Sequence, residues 1–235
     1  MSTASSPPDA PRAAAVIVAG GAGLRFGGPV RKQYLVVGGV PVLLRAIRPF
    51  LAHPRIAQVV VVLPAEDVLH APTWLLDVAV RIVAGGAERG DSVANGLAAV
   101  EDAEMVLIHD GARPFVDGGI IDRVLEGCAA GGAIAAVPVT DTIKQVDAEG
   151  AIAGTPDRRT LWQAQTPQGF PLAGLRDAYR EAVEEGVGAT DDAALYERYV
   201  GPVRVVMGSY RNLKVTRPDD LPIAEAIAAQ TRDAT

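Results

Sequence analysis

Short runs of apolar, β-branched residues recur along the chain, and most of them end in glycine or a charged turn. AAAVIVA (13–19), QVVVVLP (58–64), VRIVAGG (80–86), EMVLIHDGARP (104–114) and AIAAVPV (133–139) are of this kind. A run that is apolar on both faces predicts a strand buried inside a parallel sheet. Between these runs, PVLLRAIRPFLA (41–52), RGDSVANGLAAV (89–100) and a stretch near 117–130 carry helix-like spacing of apolar residues. Strands alternating with helices across short loops predict an α/β fold, a mostly parallel sheet sandwiched between helices. In open sheets of this type ligands bind outside the carboxyl ends of the strands. The glycines and charges of this sequence cluster there.

Residues 140–165 break the rhythm. They contain β-type pieces and two glycine-containing turns but no helical period, which predicts an extended β-arm with a return to the domain at TPQGF (166–170). Helices are expected near 172–186 and 191–199, strands at VRVVMGS (203–209) and LKVT (213–216), and a closing helix over 219–230. No repeat and no interdomain linker is present, so residues 13–230 read as one domain. The start, MSTASSPPDAPR (1–12), has the Ser, Pro and Ala content of a disordered leader.

Composition narrows the function. The net charge of −6 argues against a general nucleic-acid binder, which needs a basic face. Aromatic residues make up only 5%, few for stacking platforms under a single strand. One cysteine, Cys128, excludes an internal disulfide framework and a multi-cysteine metal site. The uncharged stretches are too short and glycine-rich to span a bilayer, and the start lacks a basic region followed by an apolar core. A cytoplasmic protein is expected.

Four motifs carry candidate chemistry. In AGGAGLRFGGPVRKQY (19–34), Gly20, Gly21 and Gly23 let the backbone approach a ligand and present N–H groups to phosphate oxygens, while Arg25 and Lys32 add cations. A Walker A loop is excluded because no Ser or Thr follows Lys32. The dinucleotide fingerprint fails because Phe26 stands at its sixth position. In AGGAERGDSVANGL (84–97), a glycine pair precedes a helix start that Asp91 or Ser92 could cap. IHDGARPF (108–115) sets Asp110 at a strand end, suited to a metal ion or a ribose hydroxyl, with Arg113 suited to a phosphate. His109, with no His or Cys cluster around it, reads as a packed strand-end residue. Thr142, Arg158 and Thr166 in the arm and its return, and Lys214 in RNLKVTRPDD, are bland taken singly.

Together, in order and spacing, GGAGLR with RKQY, GGAERGDSV, HDGARPF, DTIK, LWQAQTPQGF, TDDA and NLKVTRPDDL resemble the 2-C-methyl-D-erythritol 4-phosphate cytidylyltransferase family over residues 13–230. The resemblance implies a Rossmann-like domain and a homodimer clasped through the β-arm, with each arm contributing to its neighbour's site. It implies transfer of CMP from CTP to methylerythritol phosphate, with Mg²⁺ and release of pyrophosphate. By motif matching, Ala19, Gly20, Gly21, Gly23, Gly86, Ala87 and Ser92 would hold cytosine and ribose. Arg25 and Lys32 would bind the CTP phosphates, with Lys214 near the α-phosphate. Asp110 would lie by the ribose and the metal. Arg113, Thr142, Arg158 and Thr166 would bind the polyol phosphate, Thr142 and Arg158 across the dimer.

Three positions depart from the family pattern. Arg31 stands where proline is common, Gly20 where alanine is common, and Ala87 where an acidic residue is common. Gly20 is similar to the related ribitol-5-phosphate cytidylyltransferases, the alternative substrate reading. A nicotinamide-dependent oxidoreductase is disfavoured by Phe26, Arg25 and Lys32. A non-catalytic nucleotide-binding module is disfavoured by cations spread over four loops. In the implied reaction a substrate phosphate attacks the α-phosphorus of a nucleoside triphosphate. Fixed cations are then needed to offset charge between two anions, and no general base is required.

Overall fold

The computed structural model describes residues 12–21, 31–188 and 191–232. The leader, apart from Arg12, and the loop residues Gly23 and Arg25 lie outside them. In chain order the described elements begin with β1 (Ala13–Val18), β2 (Val36–Val37), β3 (Val40–Pro41), α1 (Val42–Leu51) and β4 (Ile56–Leu63). They continue with α2 (Ala65–Val68), α3 (Thr73–Leu76), β5 (Arg81–Ala84), α4 (Arg89–Ala98), β6 (Met105–Asp110), α5 (Gly118–Gly127) and β7 (Gly132–Pro138). The last are β8 (Gln145–Val146), β9 (Ile152–Gly154), β10 (Trp162–Pro171), α6 (Leu172–Glu185), α7 (Asp192–Tyr199), β11 (Val203–Met207) and α8 (Asp220–Arg232).

A seven-stranded sheet of order β11-β7-β10-β6-β1-β4-β5 forms the centre. β1 pairs in parallel with both β4 and β6, as its two-sided burial requires. Alternate residues of β1 serve opposite layers. Ala13, Ala15 and Ile17 meet Leu43, Ile47 and Phe50 of α1 and Ile120, Ile121 and Val124 of α5. Ala14 and Val16 meet Val93 and Leu97 of α4, Leu175 and Ala178 of α6, and Tyr196 of α7. A third cluster joins Val37, Val42 and Val215 to Ala224 and Ala228 of α8.

The sheet is mostly parallel, with β10 running antiparallel between β6 and β7. Its register shifts between Ala164 and Gln168. Pro167 lies in that shift, where a residue without an N–H does not interrupt the ladder. The shift aims Thr166 at the carboxyl end of β6.

Two expectations change here. Trp162–Gln165 belong to this central strand, so the arm is narrower than 140–165 and ends before β10. LKVT (213–216) does not form a strand. Val215 N–H bonds the Ala112 carbonyl at 2.8 Å, but Leu213 N–H is taken by the Arg211 carbonyl and Thr216 N–H by the Asp220 carboxylate. With those donors spent locally, no ladder can propagate. The arm itself is the two-stranded β8–β9 ribbon, with Ile143, Val146 and Ile152 exposed.

Candidate active site

Two glycine turns face each other at the carboxyl ends of the parallel strands. The first follows β1 and holds Ala19, Gly20 and Gly21. Gln33, buried in a 3-10 turn at Lys32–Tyr34, donates to the Ala19 carbonyl at 3.0 Å and keeps that turn open toward the cleft. The second follows β5 and enters α4. Ser92 Oγ accepts from Gly86 N–H at 3.2 Å and donates to the Glu88 carbonyl at 3.1 Å. Asp91 accepts from Glu88 N–H at 2.9 Å, the helix-start role that the motif allowed. A Cβ on Gly86 would overlap Asp91, so the turn is too tight for any side chain there.

Between these turns lies a cavity of about 620 Å³. Ala19, Gly20, Gly21, Lys32, Gly86, Ala87, Ser92, Asp110 and Lys214 all line it, together with Arg31 and Arg89. Arg31 is braced by ion pairs to Glu66 and Asp67. Arg31 thus ties the loop end beside Lys32 to α2.

Asp110 is the electrostatic hub. Its carboxylate lies 2.8 Å from Lys214 Nζ, 3.6 Å from Arg113 Nε and 3.7 Å from Arg89 Nε. Burial alone would raise its pKa. The Lys214 ammonium, then Arg89 and Arg113, outweigh that and hold the carboxyl well below the usual carboxylate range. Three cations, Lys214, Arg113 and Arg89, face two buried carboxylates, Asp110 and Asp192, which leaves a local excess of positive charge that favours anions in a protein of net charge −6.

Arg89 is the site residue that sequence reasoning missed. Its guanidinium bonds Asp192 at 2.7 Å, and Asp192 is fully buried and also accepts from Tyr179 Oη at 2.6 Å. A signal was present. A cation in the first turn of a helix opposes the macrodipole and implies a carboxylate partner, here supplied by the TDDA motif.

A second cavity of about 450 Å³ adjoins the first and shares Lys214 with it. Arg113, Gln163, Gln165, Asn212 and Arg217 line it. Arg113 Nη1 also donates to the Asn212 carbonyl at 2.9 Å. Thr166 is buried, and its hydroxyl accepts from Asp110 N–H at 3.0 Å and lies 2.9 Å from His109 Nδ1. Burial pushes the His109 imidazole down to about 4, so it is neutral at pH 7. Thr166 lines neither cavity, and nor do Thr142 and Arg158. The last two are exposed on the arm, where Arg158 Nη1 donates to the Thr140 carbonyl at 2.6 Å.

Among the described residues no group of three His, Cys, Asp or Glu side chains could hold a metal ion. Asp110 offers one carboxylate, already paired with cations. That donor set fits Mg²⁺ only as an ion held mainly by ligand phosphates, its usual mode with nucleotides.

The sequence profile of the family described as 2-C-methyl-D-erythritol 4-phosphate cytidylyltransferase matches residues 13–230. The chain is 44% identical over 224 residues to the 2-C-methyl-D-erythritol 4-phosphate cytidylyltransferase of Syntrophus aciditrophicus, covering 92% of this chain and 95% of the other. Among solved structures, the 2-C-methyl-D-erythritol 4-phosphate cytidylyltransferase of Thermus thermophilus is 36% identical with a TM-score of 0.78, covering 93% and 99% of the two chains. The 4-diphosphocytidyl-2C-methyl-D-erythritol synthase of Anaerococcus prevotii superposes with a TM-score of 0.81 at 29% identity, covering 93% and 98%.

Proposed function

The chain belongs to the 2-C-methyl-D-erythritol 4-phosphate cytidylyltransferase family, and from that premise we propose how its residues share the reaction. It is a nucleotidyltransferase of isoprenoid biosynthesis. It transfers CMP from CTP to 2-C-methyl-D-erythritol 4-phosphate, giving 4-diphosphocytidyl-2-C-methyl-D-erythritol and pyrophosphate. Ribitol 5-phosphate is not favoured as the acceptor.

The observation that carries the division of labour is Lys214, which lines both cavities. CTP occupies the larger one. Its cytosine and ribose lie between Ala19–Gly21 and Gly86–Ser92, where narrow backbone-lined walls suit a pyrimidine. Ala87 reads the base through its backbone, which needs no acidic side chain. Lys32 holds the triphosphate, a role that Arg25, outside the described residues, shares by its motif alone. The polyol phosphate occupies the second cavity, its phosphate toward Arg113, while Thr166, its hydroxyl taken up by Asp110 N–H and His109, braces the site from behind. One of its oxygens attacks the α-phosphorus in line, and pyrophosphate leaves on the side of Lys32.

Both reactants are anions, so fixed cations do the work. Lys214 stands between the two phosphates and offsets the charge that gathers on the α-phosphoryl oxygens. Asp110 holds the Lys214 ammonium in place. Asp110 is the carboxylate that would face Mg²⁺ carried in by the triphosphate, and the ion would supply further charge neutralisation there. The nucleophile is already an anion, so the reaction asks for no general base.

The arm completes the second cavity in a homodimer. Its support is the exposed apolar surface of Val146 at 58% and Ile152 at 65% on the arm, with Trp162 at 41% at the adjoining start of β10. Thr142 and Arg158, which line neither cavity of their own chain, then reach the neighbour's polyol phosphate. No described helix is long and apolar enough to cross a membrane. Action in the cytoplasm agrees with phosphorylated substrates.

The test is pyrophosphate release with CTP against UTP, ATP and GTP, and with 2-C-methyl-D-erythritol 4-phosphate against ribitol 5-phosphate. CTP with the methylerythritol substrate should turn over fastest. Equal turnover with a purine triphosphate would remove the backbone-lined base site, and equal turnover of ribitol 5-phosphate would remove the acceptor specificity.

A further inference from the structure

His109 is fully buried at the end of β6 and its ring packs on Phe50, with centroids 5.0 Å apart. Any apolar residue could fill that space. An imidazole adds an acceptor on one edge and a donor on the other, and both are used. Thr166 Oγ1 lies 2.9 Å from Nδ1, and the Arg113 carbonyl lies 3.2 Å from Nε2. The carbonyl can only accept, so Nε2 carries the proton and Nδ1 accepts from the threonine hydroxyl. Thr166 Oγ1 then has a lone pair for Asp110 N–H, at 3.0 Å.

The chain of bonds closes on itself. From His109 it passes to the Arg113 carbonyl. Arg113 Nη1 donates to the Asn212 carbonyl at 2.9 Å, and Asn212 Nδ2 donates to the Thr166 carbonyl at 2.8 Å. Thr166 returns it to His109. Three segments far apart in sequence are thereby tied together: the turn after β6, the register shift in β10, and the loop that carries Lys214. Lys214 is two residues from Asn212, and its ammonium meets Asp110 at 2.8 Å inside the circuit.

We propose that His109 is a positioning residue for CMP transfer, holding Thr166 and the Arg113 carbonyl at once and so setting Asp110, Arg113 and Lys214 against one another. The proposal rests on the placement of the polyol phosphate beside Arg113. His109 touches neither cavity and acts through the residues that do. Without it the Asp110–Arg113 turn keeps its backbone but loses the tie at each end, and the three charged groups lose their common reference.

The test compares the purified enzyme with His109→Phe, which keeps a ring against Phe50 and removes both hydrogen bonds, and His109→Asn, which keeps an acceptor toward Thr166. Rates are expressed per folded molecule, from thermal unfolding of each sample. In His109→Phe, kcat/KM for the polyol phosphate should fall roughly 10–100-fold, the scale of a misplaced constellation, while KM for CTP changes by less than about twofold. His109→Asn should lie between this and wild type, and it carries the test if the phenylalanine variant does not fold. A double-mutant cycle with Asp110→Asn should be strongly non-additive, because the histidine acts through that turn. Wild-type kcat/KM in whichever His109 variant folds would overturn the proposal, as would full additivity with Asp110→Asn. An Arg113→Ala enzyme with unchanged KM for the polyol phosphate would instead overturn the placement on which the proposal rests.

Discussion

The two cavities that share Lys214 are built in different ways. The larger is bordered on two sides by glycine turns, Ala19–Gly21 and Gly85–Ala87, each directly after a parallel strand. Its two glycine turns are local, each a strand end and the residues that follow, while its cations Arg31, Lys32, Arg89 and Lys214 arrive from other segments. The smaller is walled by side chains from β7, β10, the turn after β6 and the loop before α8. Its members meet only through long-range contacts such as Arg113 with Asn212. A glycine turn tolerates few substitutions and is held by single nearby side chains, Gln33 at the first and Ser92 at the second. A side-chain wall depends on the circuit behind it. Changes in the first should therefore strike CTP selectively, and changes in the second the polyol phosphate.

Removing the shared residue should give the largest effect and spare neither substrate. Lys214→Ala should lower kcat about 10²–10³-fold, roughly 3–4 kcal/mol, the cost of one transition-state donor. Lys32→Ala should match it, with folding little changed in both. A normal kcat in either variant would refute its assigned role.

The contrast between the cavities is sharpened by one change in each. Gly86→Ala forces a Cβ into Asp91 and should raise KM for CTP by roughly tenfold or more, with KM for the polyol phosphate nearly constant. Arg158→Ala should do the reverse, raising KM for the polyol phosphate roughly tenfold while leaving that for CTP alone. Parallel rises in both constants would erase the distinction between the two regions.

Mixing Arg158→Ala and Lys32→Ala chains tests the arm. If each arm serves its neighbour, a heterodimer carries both lesions in one site and leaves the other intact, so activity should be regained up to about half in verified heterodimers. A monomer in sedimentation, or no recovery, would confine the second cavity to one chain.

The smallest effect concerns Cys128, which lies outside both regions. Burial pushes its thiol up to about 11, so at pH 8 almost no thiolate is present in the folded protein. Iodoacetamide should label it slowly until denaturant is added. Rapid native labelling would show that the α5 layer opens, and with it the support of β6.

The order of the parallel strands and of the longer helices was legible because period and punctuation are local properties of the chain, whereas β2, β3, α2, α3 and the strand β10 were not expected. Apolar runs ending in glycine marked β1, β5 and their turns. The same runs could not reveal that β10 enters antiparallel between β6 and β7, since pairing direction depends on where a chain returns after the arm. LKVT has the composition of a strand, yet Asp220 and the Arg211 carbonyl take its donors. Arg89 was passed over because its partners, Asp110 and Asp192, are far off in sequence.

What the sequence determined by itself is the alternation that builds an α/β sheet, the two glycine turns at its carboxyl edge and the identity of the cations offered there. Those follow from side-chain period and backbone freedom within a few residues. Only the tertiary structure decided which cations share a carboxylate and which threonine meets which histidine. It also decided that one lysine faces two cavities. Such pairings cost chain entropy to assemble, and they are fixed only when the packed layers hold their distant segments together.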